Sequence, residues 1–296
     1  MRLGYHIFYA FAWLISLLPF WMIYGVSDFI FFMLYHVTGY RKEVTRQNLR
    51  NSFPDKGEKW IRDTSRKFYR SLADIILEDI KVLTIRQHKL AKHYRFLNTE
   101  IIDNIAGNNK SVIIAIGHCG NWEWMGNTFG PLYKQYKGYA IVKPLNNPHF
   151  DDFMNGLRNR YIKDSIIYMK DTLRTMVRRK GIVSIYAFAA DQTPSEPKTA
   201  YWSDFLHQDT PFYTGVEKIA RTLDLGVIFI DLYREKRGYY VGEVSLITNS
   251  AKETKENEIT EAYISKLEEA ISKRPHNWLW SHKRWKHKRE QITKEA

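Results

Sequence analysis

Hydrophobic residues fall along this chain in three regimes. From Leu3 to Tyr40 they are nearly unbroken: between Arg2 and Arg41 the only Asp, Glu, Lys or Arg is Asp28. The stretch LGYHIFYAFAWLISLLPFWMIYGVSDFIFFMLYHVTGY is interrupted by Pro19 and Gly25. A spanning helix needs ~20 apolar residues. The pattern therefore predicts either one span or two shorter helices that meet near Pro19 and dip into, or lie along, one leaflet. Trp13, Phe20, Trp21 and Tyr24 suit the boundary between headgroups and acyl chains. A signal peptide fits less well, because the run is long and no small-x-small cleavage site follows it. A pair of buried core helices fits the same pattern. Arg41, Lys42, Arg46 and Arg50 come next, and the positive-inside tendency then places the remaining chain in the cytoplasm.

The second regime is amphipathic. Residues 40–52 read as a basic helix, Pro54 interrupts, and 59–83 read as a long helix with Ile61, Phe68, Leu72, Ile75, Ile76 and Ile80 at helical spacing. From residue 111 a third regime begins, of short continuous apolar runs: 111–117, 138–143, 182–190 and 227–233. Such runs mark strands buried on both faces. Residues 239–247 alternate more and read as an edge or antiparallel strand. Helical patterns lie between them at 122–135, 150–161, 171–180 and 212–224, and a last one reaches Lys273. Strands alternating with helices predict an α/β fold, a mostly parallel central sheet flanked by helices. The economical division is a membrane-anchoring region over 1–40 and one catalytic domain over 41–296.

Composition narrows the function. Lys and Arg number 45 against 32 Asp and Glu, a formal charge of +13. That excess points to an anionic partner, whether nucleic acid, acidic protein or phospholipid surface. Apolar residues make up 44% and charged residues 26%, which excludes a disordered chain. A mean hydropathy of −0.43 excludes a polytopic membrane protein. The single cysteine, Cys119, rules out a disulfide framework and a Cys-based zinc cluster. The ten His are scattered and predict no metal site.

The candidate chemistry sits in GHCGNWEW, residues 117–124, where the first buried run ends. Sites in α/β sheets form at the carboxyl ends of strands, which is where His118 falls. Asn121 suits the cap of the helix that follows, and Glu123 would sit in its first turn, within reach of the imidazole. A His held by a carboxylate is an oriented general base. No Ser in the loop offers a nucleophile, so the base would activate a substrate hydroxyl directly. Cys119 reads as a small buried residue. One His and one Glu alone fit a strand-capping core histidine equally well.

The extended motif resembles the S-H-x-G-N-W-E signature of the late lipid A acyltransferases, a branch of the glycerolipid and lysophospholipid acyltransferases. Other blocks match in the same order: RQNLRNSFPDK (46–56), IVKPLNNPHFDDFMNGLRNR (141–160), AADQTP (189–194) and NWLWSHKRWKHKR (277–289). The resemblance implies acyl transfer from an acyl carrier protein thioester, or from acyl-CoA, to a glycolipid hydroxyl at the cytoplasmic face of the bacterial inner membrane, with no cofactor beyond the thioester. It implies His118 as base with Glu123 as its partner, and Arg158 or Arg160 to meet the charge on the thioester oxygen. Asn121, Lys143, Asp191 and Gln192 join the substrate-binding set through the matching blocks. Asp191 and Gln192 follow the third buried run, near His118 if the two strands adjoin; an Asx turn opening the TPSEP loop is the other reading. The sequence departs from the family form at Gly117 (usually Ser or Thr), Lys143 (usually Arg), Trp278-Leu279-Trp280 (usually Tyr-x-Trp) and 203–215, a loose echo of F-F-G. These departures bear on the acceptor, and a lysophospholipid, aminolipid or mannolipid stays open.

The basic, aromatic C-terminal block suits an anionic interface, with its Trp side chains at headgroup depth and its cations on phosphate, or a solvated helix end. Two other functions compete. Basic charge with interleaved aromatics also fits a nucleic-acid-binding module, which leaves the hydrophobic start without a role. A His–Glu pair acting with water would make a thioesterase, although no G-x-S-x-G elbow is present.

Overall fold

A computed structural model describes residues 2–289. Four helices open the chain: α1 (Arg2–Leu17), α2 (Phe20–Phe32), α3 (Lys42–Ser52) and α4 (Glu58–Lys81). A short α5 (Gln87–Leu90) follows. Then come β1 (Tyr94–Leu97), α6 (Glu100–Gly107), β2 (Val112–Ile116), α7 (Trp122–Phe129), β3 (Lys137–Val142) and α8 (Pro148–Arg158). The order continues with β4 (Ile166–Tyr168), α9 (Thr172–Arg178), β5 (Ser184–Ala189), β6 (Tyr201–Phe205), β7 (Gln208–Phe212) and α10 (Gly215–Leu223). It closes with β8 (Gly226–Lys236), β9 (Tyr239–Thr248) and α11 (Glu258–Lys273).

Seven strands form one sheet in the order β1-β9-β8-β2-β5-β3-β4, and every neighbouring pair is parallel except β8–β9. The four continuous apolar runs are β2, β3, β5 and β8, and β2 is buried at all five positions between β5 and β8. β9 is antiparallel but not an edge, because β1 covers it. The expected helix at 212–224 begins at Gly215, and the residues before it form the β6–β7 hairpin apart from the main sheet.

Alternate residues of a strand face opposite sides, and the two sides carry different layers. Ile114 and Ile116 share a cluster with Phe68 of α4, Trp124 of α7 and Leu267 of α11. Ile113 joins Met176 of α9 and Val216 and Ala220 of α10 on the other side. The N-terminal helices belong to the first side, through Ala12, Phe31 and Tyr35.

Pro19 separates α1 from α2, as a residue lacking a backbone donor should, while Gly25 is absorbed inside α2. A π-helical turn, Met33–Val37, extends α2. Phe20–Val37 is long and apolar enough, by length and composition, to cross a membrane. Only one seam of it is buried: Ile23, Ser27, Phe31 and Tyr35, at i, i+4 spacing. Ile7, Phe11, Leu14 and Leu17 of α1, with Trp21, Phe29, Phe32 and Val37, all stay more than half exposed. Asp28, the lone charge in this stretch, is paired with Arg237 at 2.7 Å. Arg237 also reaches Asp74 of α4 at 2.7 Å, Arg234 does so at 2.7 Å, and Ser27 Oγ donates to Asp74 at 2.5 Å. A buried carboxylate persists only when so paired, and here it ties α2 and α4 to the β8–β9 turn.

Candidate active site

The register of β2 against β5 sets the site. Ile116 pairs with Ala189, so His118 and Asp191, each two residues further on, leave the sheet side by side. His118 N–H donates to Asp191 Oδ2 at 2.7 Å, and His118 Nδ1 lies 2.5 Å from Asp191 Oδ1. Trp278 Nε1–H donates to Asp191 Oδ2 at 2.7 Å. The carboxylate is therefore the oriented partner of the imidazole. Burial works against its charge, but the imidazole and these hydrogen bonds hold Asp191 down at about 2. Burial likewise disfavours a charged His118, yet Asp191, and behind it Glu123, outweigh burial and raise it above the ordinary histidine value.

With Nδ1–H given to Asp191, Nε2 carries the lone pair. It faces the exposed Gln192 amide at 3.1 Å and is the one polar edge of the ring turned outward. The Trp122 ring stands edge-on to the imidazole at 5.2 Å. Two glycines let the loop turn so tightly. Gly120 has φ +55, and a Cβ there would approach Leu232 O at 3.3 Å. A Cβ on Gly117 would fall 2.5 Å from Leu267 Cδ1, so the space that a Ser or Thr would take here is filled by α11.

Glu123 does not hold His118. The first turn of α7 aims it at α8, where Arg158 takes both carboxylate oxygens, Nε at 2.8 Å and Nη2 at 2.6 Å. This two-pronged bond sets the guanidinium near the imidazole and uses much of its donor capacity. Asp79 of α4 lies beside the pair, and burial, then Glu123 and Glu78, push it well above the ordinary carboxylate range. Arg160 is exposed and sits by Tyr161, outside this cluster. Lys143 Nζ lies 3.2 Å from Ser195 Oγ, over the loop that follows Asp191.

Asn121 caps α7, as its position predicts: its Oδ1 accepts from Trp124 N–H at 2.9 Å. It is fully buried and its Nδ2 donates to Glu78 Oε2 at 2.9 Å, so it supports the loop and does not face a substrate. Glu78 also accepts from Tyr24 at 3.0 Å and Tyr240 at 2.6 Å, which joins α2, α4 and β9 beneath the loop that carries His118. Cys119 is buried, and burial followed by Asp191 and Asp231 pushes its thiol well up, away from thiolate chemistry.

The C-terminal block is not an interfacial tail. Trp278 and Trp280 are buried, and the segment passes across the loops that carry His118 and Asp191. Gly120 N–H donates to Asn277 O at 3.1 Å, and Cys119 forms a β-bridge with Trp278. Thr193 Oγ1 donates to Arg284 O at 2.7 Å. Arg284, fully buried, lies over the Phe212 ring at 4.6 Å and donates to Pro211 O at 2.7 Å. Trp278 is the site residue that the sequence pattern does not assign. Its signal is the NWLW run itself, too apolar at too regular a spacing for a solvated tail. Among the described residues no group of three or more His, Cys, Asp and Glu side chains is arranged to hold a metal ion.

An oriented imidazole with an open Nε2, a neighbouring arginine and no serine or thiolate nucleophile equips this loop cluster for general-base activation of a hydroxyl. Comparison with known proteins points the same way. A model of the bacterial lipid A biosynthesis acyltransferases matches residues 2–287. The lipid A biosynthesis lauroyltransferase of Escherichia coli (strain K12) is 23% identical over 283 residues, which cover 95% of this chain and 90% of that protein.

Proposed function

The chain belongs to the bacterial lipid A biosynthesis acyltransferase family, and from that premise we propose that it moves a fatty acyl chain from an acyl carrier protein thioester to a hydroxyl of a lipid A precursor. The observation that carries the reading is the Trp278–Asp191–His118 series at the ends of β2 and β5. Asp191 fixes the imidazole with Nδ1 protonated and stabilises the imidazolium formed on proton uptake. His118 Nε2, released from Gln192, takes the proton of the acceptor hydroxyl. The alkoxide attacks the thioester carbonyl, the new C–O bond forms, and the C–S bond breaks. The departing thiolate takes the proton back from His118. Arg158, steadied by Glu123, supplies positive charge near the oxygen that becomes anionic. Lys143 and Gln192 border the acceptor side.

The exposed apolar faces of α1 and α2 fit a lipid surface, and the net charge of +13 fits both an anionic inner membrane and an acidic carrier. The cations after Tyr40 favour a catalytic domain on the cytoplasmic face. The test is an assay of the purified protein with acyl carrier protein thioesters and a lipid A precursor, with products read by mass spectrometry. One added acyl mass, lost in His118→Ala, is the expected result. Acylation only of an added lysophospholipid or aminolipid would replace the acceptor, and free fatty acid alone would make the protein a thioesterase.

A further inference from the structure

Helix α9 and the 3-10 turn that leads into it, Met169–Asp171, carry an apolar ridge that nothing in the fold covers. Met169, Leu173 and Val177 recur at i, i+4, i+8 and are 42%, 46% and 48% exposed, and Ile182 beyond the helix is 56% exposed. Thr172 and Met176 of the same helix are buried against the sheet, so the ridge is a second face and not a frayed core. Lys170, Arg174 and Arg178 form the adjacent ridge, and Lys180 follows. All four cations are exposed, and none makes an ion pair or side-chain hydrogen bond among the described residues. Four unpaired cations beside three apolar side chains make a surface whose complement is acidic and carries an apolar stripe of its own.

The fold favours a soluble occupant over a bilayer. α9 packs on the side of the sheet that carries Ile113, whereas α1, α2 and α4 pack on the side that carries Ile114 and Ile116. A membrane seated on the apolar N-terminal helices therefore meets the opposite layer. The ridge also starts at the right end of the molecule. Met169 directly follows β4, at the strand end from which His118 emerges, and β4 stands three strand spacings from β2, about 14 Å. A long thiol-bearing arm crosses such a gap while its carrier stays outside.

We propose that the α9 ridge, Met169–Leu173–Val177 with Lys170, Arg174 and Arg178, is the docking face for the acidic carrier protein that delivers the acyl thioester. The proposal rests on the donor assigned above. The test compares two donors of the same acyl chain, the carrier-protein thioester and the free pantetheine thioester, on the full-length protein and on an Arg174→Glu/Arg178→Glu variant. The variant should lose about tenfold or more in kcat/KM with the carrier, mainly through KM. With the pantetheine thioester it should stay within about twofold, as a surface away from the reacting atoms requires. Equal kcat/KM for both proteins with the carrier overturns the proposal alone, as does an equal loss with both donors. Loss of binding to anionic phospholipid vesicles, with carrier kinetics intact, reassigns the ridge to the membrane. Turnover of the pantetheine thioester but not of the carrier by the wild-type protein removes the donor reading and the docking face with it.

Discussion

At His118 two opposed effects meet, and their balance sets the charge of the imidazole. Burial favours the neutral ring, Asp191 favours the charged one, and the carboxylate prevails, so the group titrates above 6.5. In the proposed mechanism His118 must be neutral to take the acceptor's proton. Activity should therefore fall as pH drops through this raised value, with the acid limb of kcat/KM above that of an ordinary histidine. Asp191, held at about 2, stays ionised across the whole range. Asp191→Asn removes the raising charge. Its acid limb should move to lower pH, and its maximum should fall by about 10²–10⁴-fold, because an amide no longer selects the reactive tautomer. A pH profile of the variant that superimposes on the wild type would separate Asp191 from the base. His118 is legible in the sequence because an apolar run ends at a glycine-flanked loop. Its partner is not: Glu123 lies nearby in the chain, whereas Asp191 lies 73 residues away and is brought in only by strand order. The departure at Gly117 also becomes plain only in three dimensions, where Leu267 fills the missing side chain's place.

The elements divide by how much pattern each can display. β2, β3, β5 and β8 are long apolar runs and show themselves. β1 and β4 have four and three residues, too few to establish a period, and β6 keeps most of its residues half-buried or exposed. The segment across the catalytic loops is harder still, since its basic residues mask a buried tryptophan pair. Its contribution is measurable. Trp278→Phe keeps an aromatic ring, smaller than the indole, and deletes the N–H that meets Asp191. Asp191 Oδ2 keeps the His118 N–H, so the loss is one hydrogen bond to a charged group, about 1.5–3 kcal/mol, with a further cost for the space that the smaller ring leaves. Urea unfolding should show that loss, and kcat should drop about tenfold with KM for the acceptor unchanged. Wild-type turnover in this variant would reduce the bond to a structural one.

At the scale of the whole molecule, the most exposed apolar side chains gather on the N-terminal helices, apart from the smaller α9 ridge on the opposite layer. α2 buries one seam, α1 and α2 leave most of their apolar side chains exposed, and a polar strut through Asp28, Arg237 and Asp74 anchors α2 to the sheet. Trp21 and Phe29 are 75% and 63% exposed, so replacing both by Glu leaves the core intact. Each large apolar side chain buried in lipid contributes about 2 kcal/mol. The double variant should therefore partition into vesicles at least about 100-fold less well, with kcat on detergent-dispersed substrate retained. Equal retention on membranes after a carbonate wash would assign the anchoring elsewhere. The crossing segment also has a meaning in time. Trp278 is made 87 residues after the aspartate it bonds. At a synthesis rate of 5–20 residues per second that interval is on the order of ten seconds. The proposed base therefore stays incomplete for that interval, and its hydrogen-bond series closes only when the Trp278 segment is made and folds across the two loops.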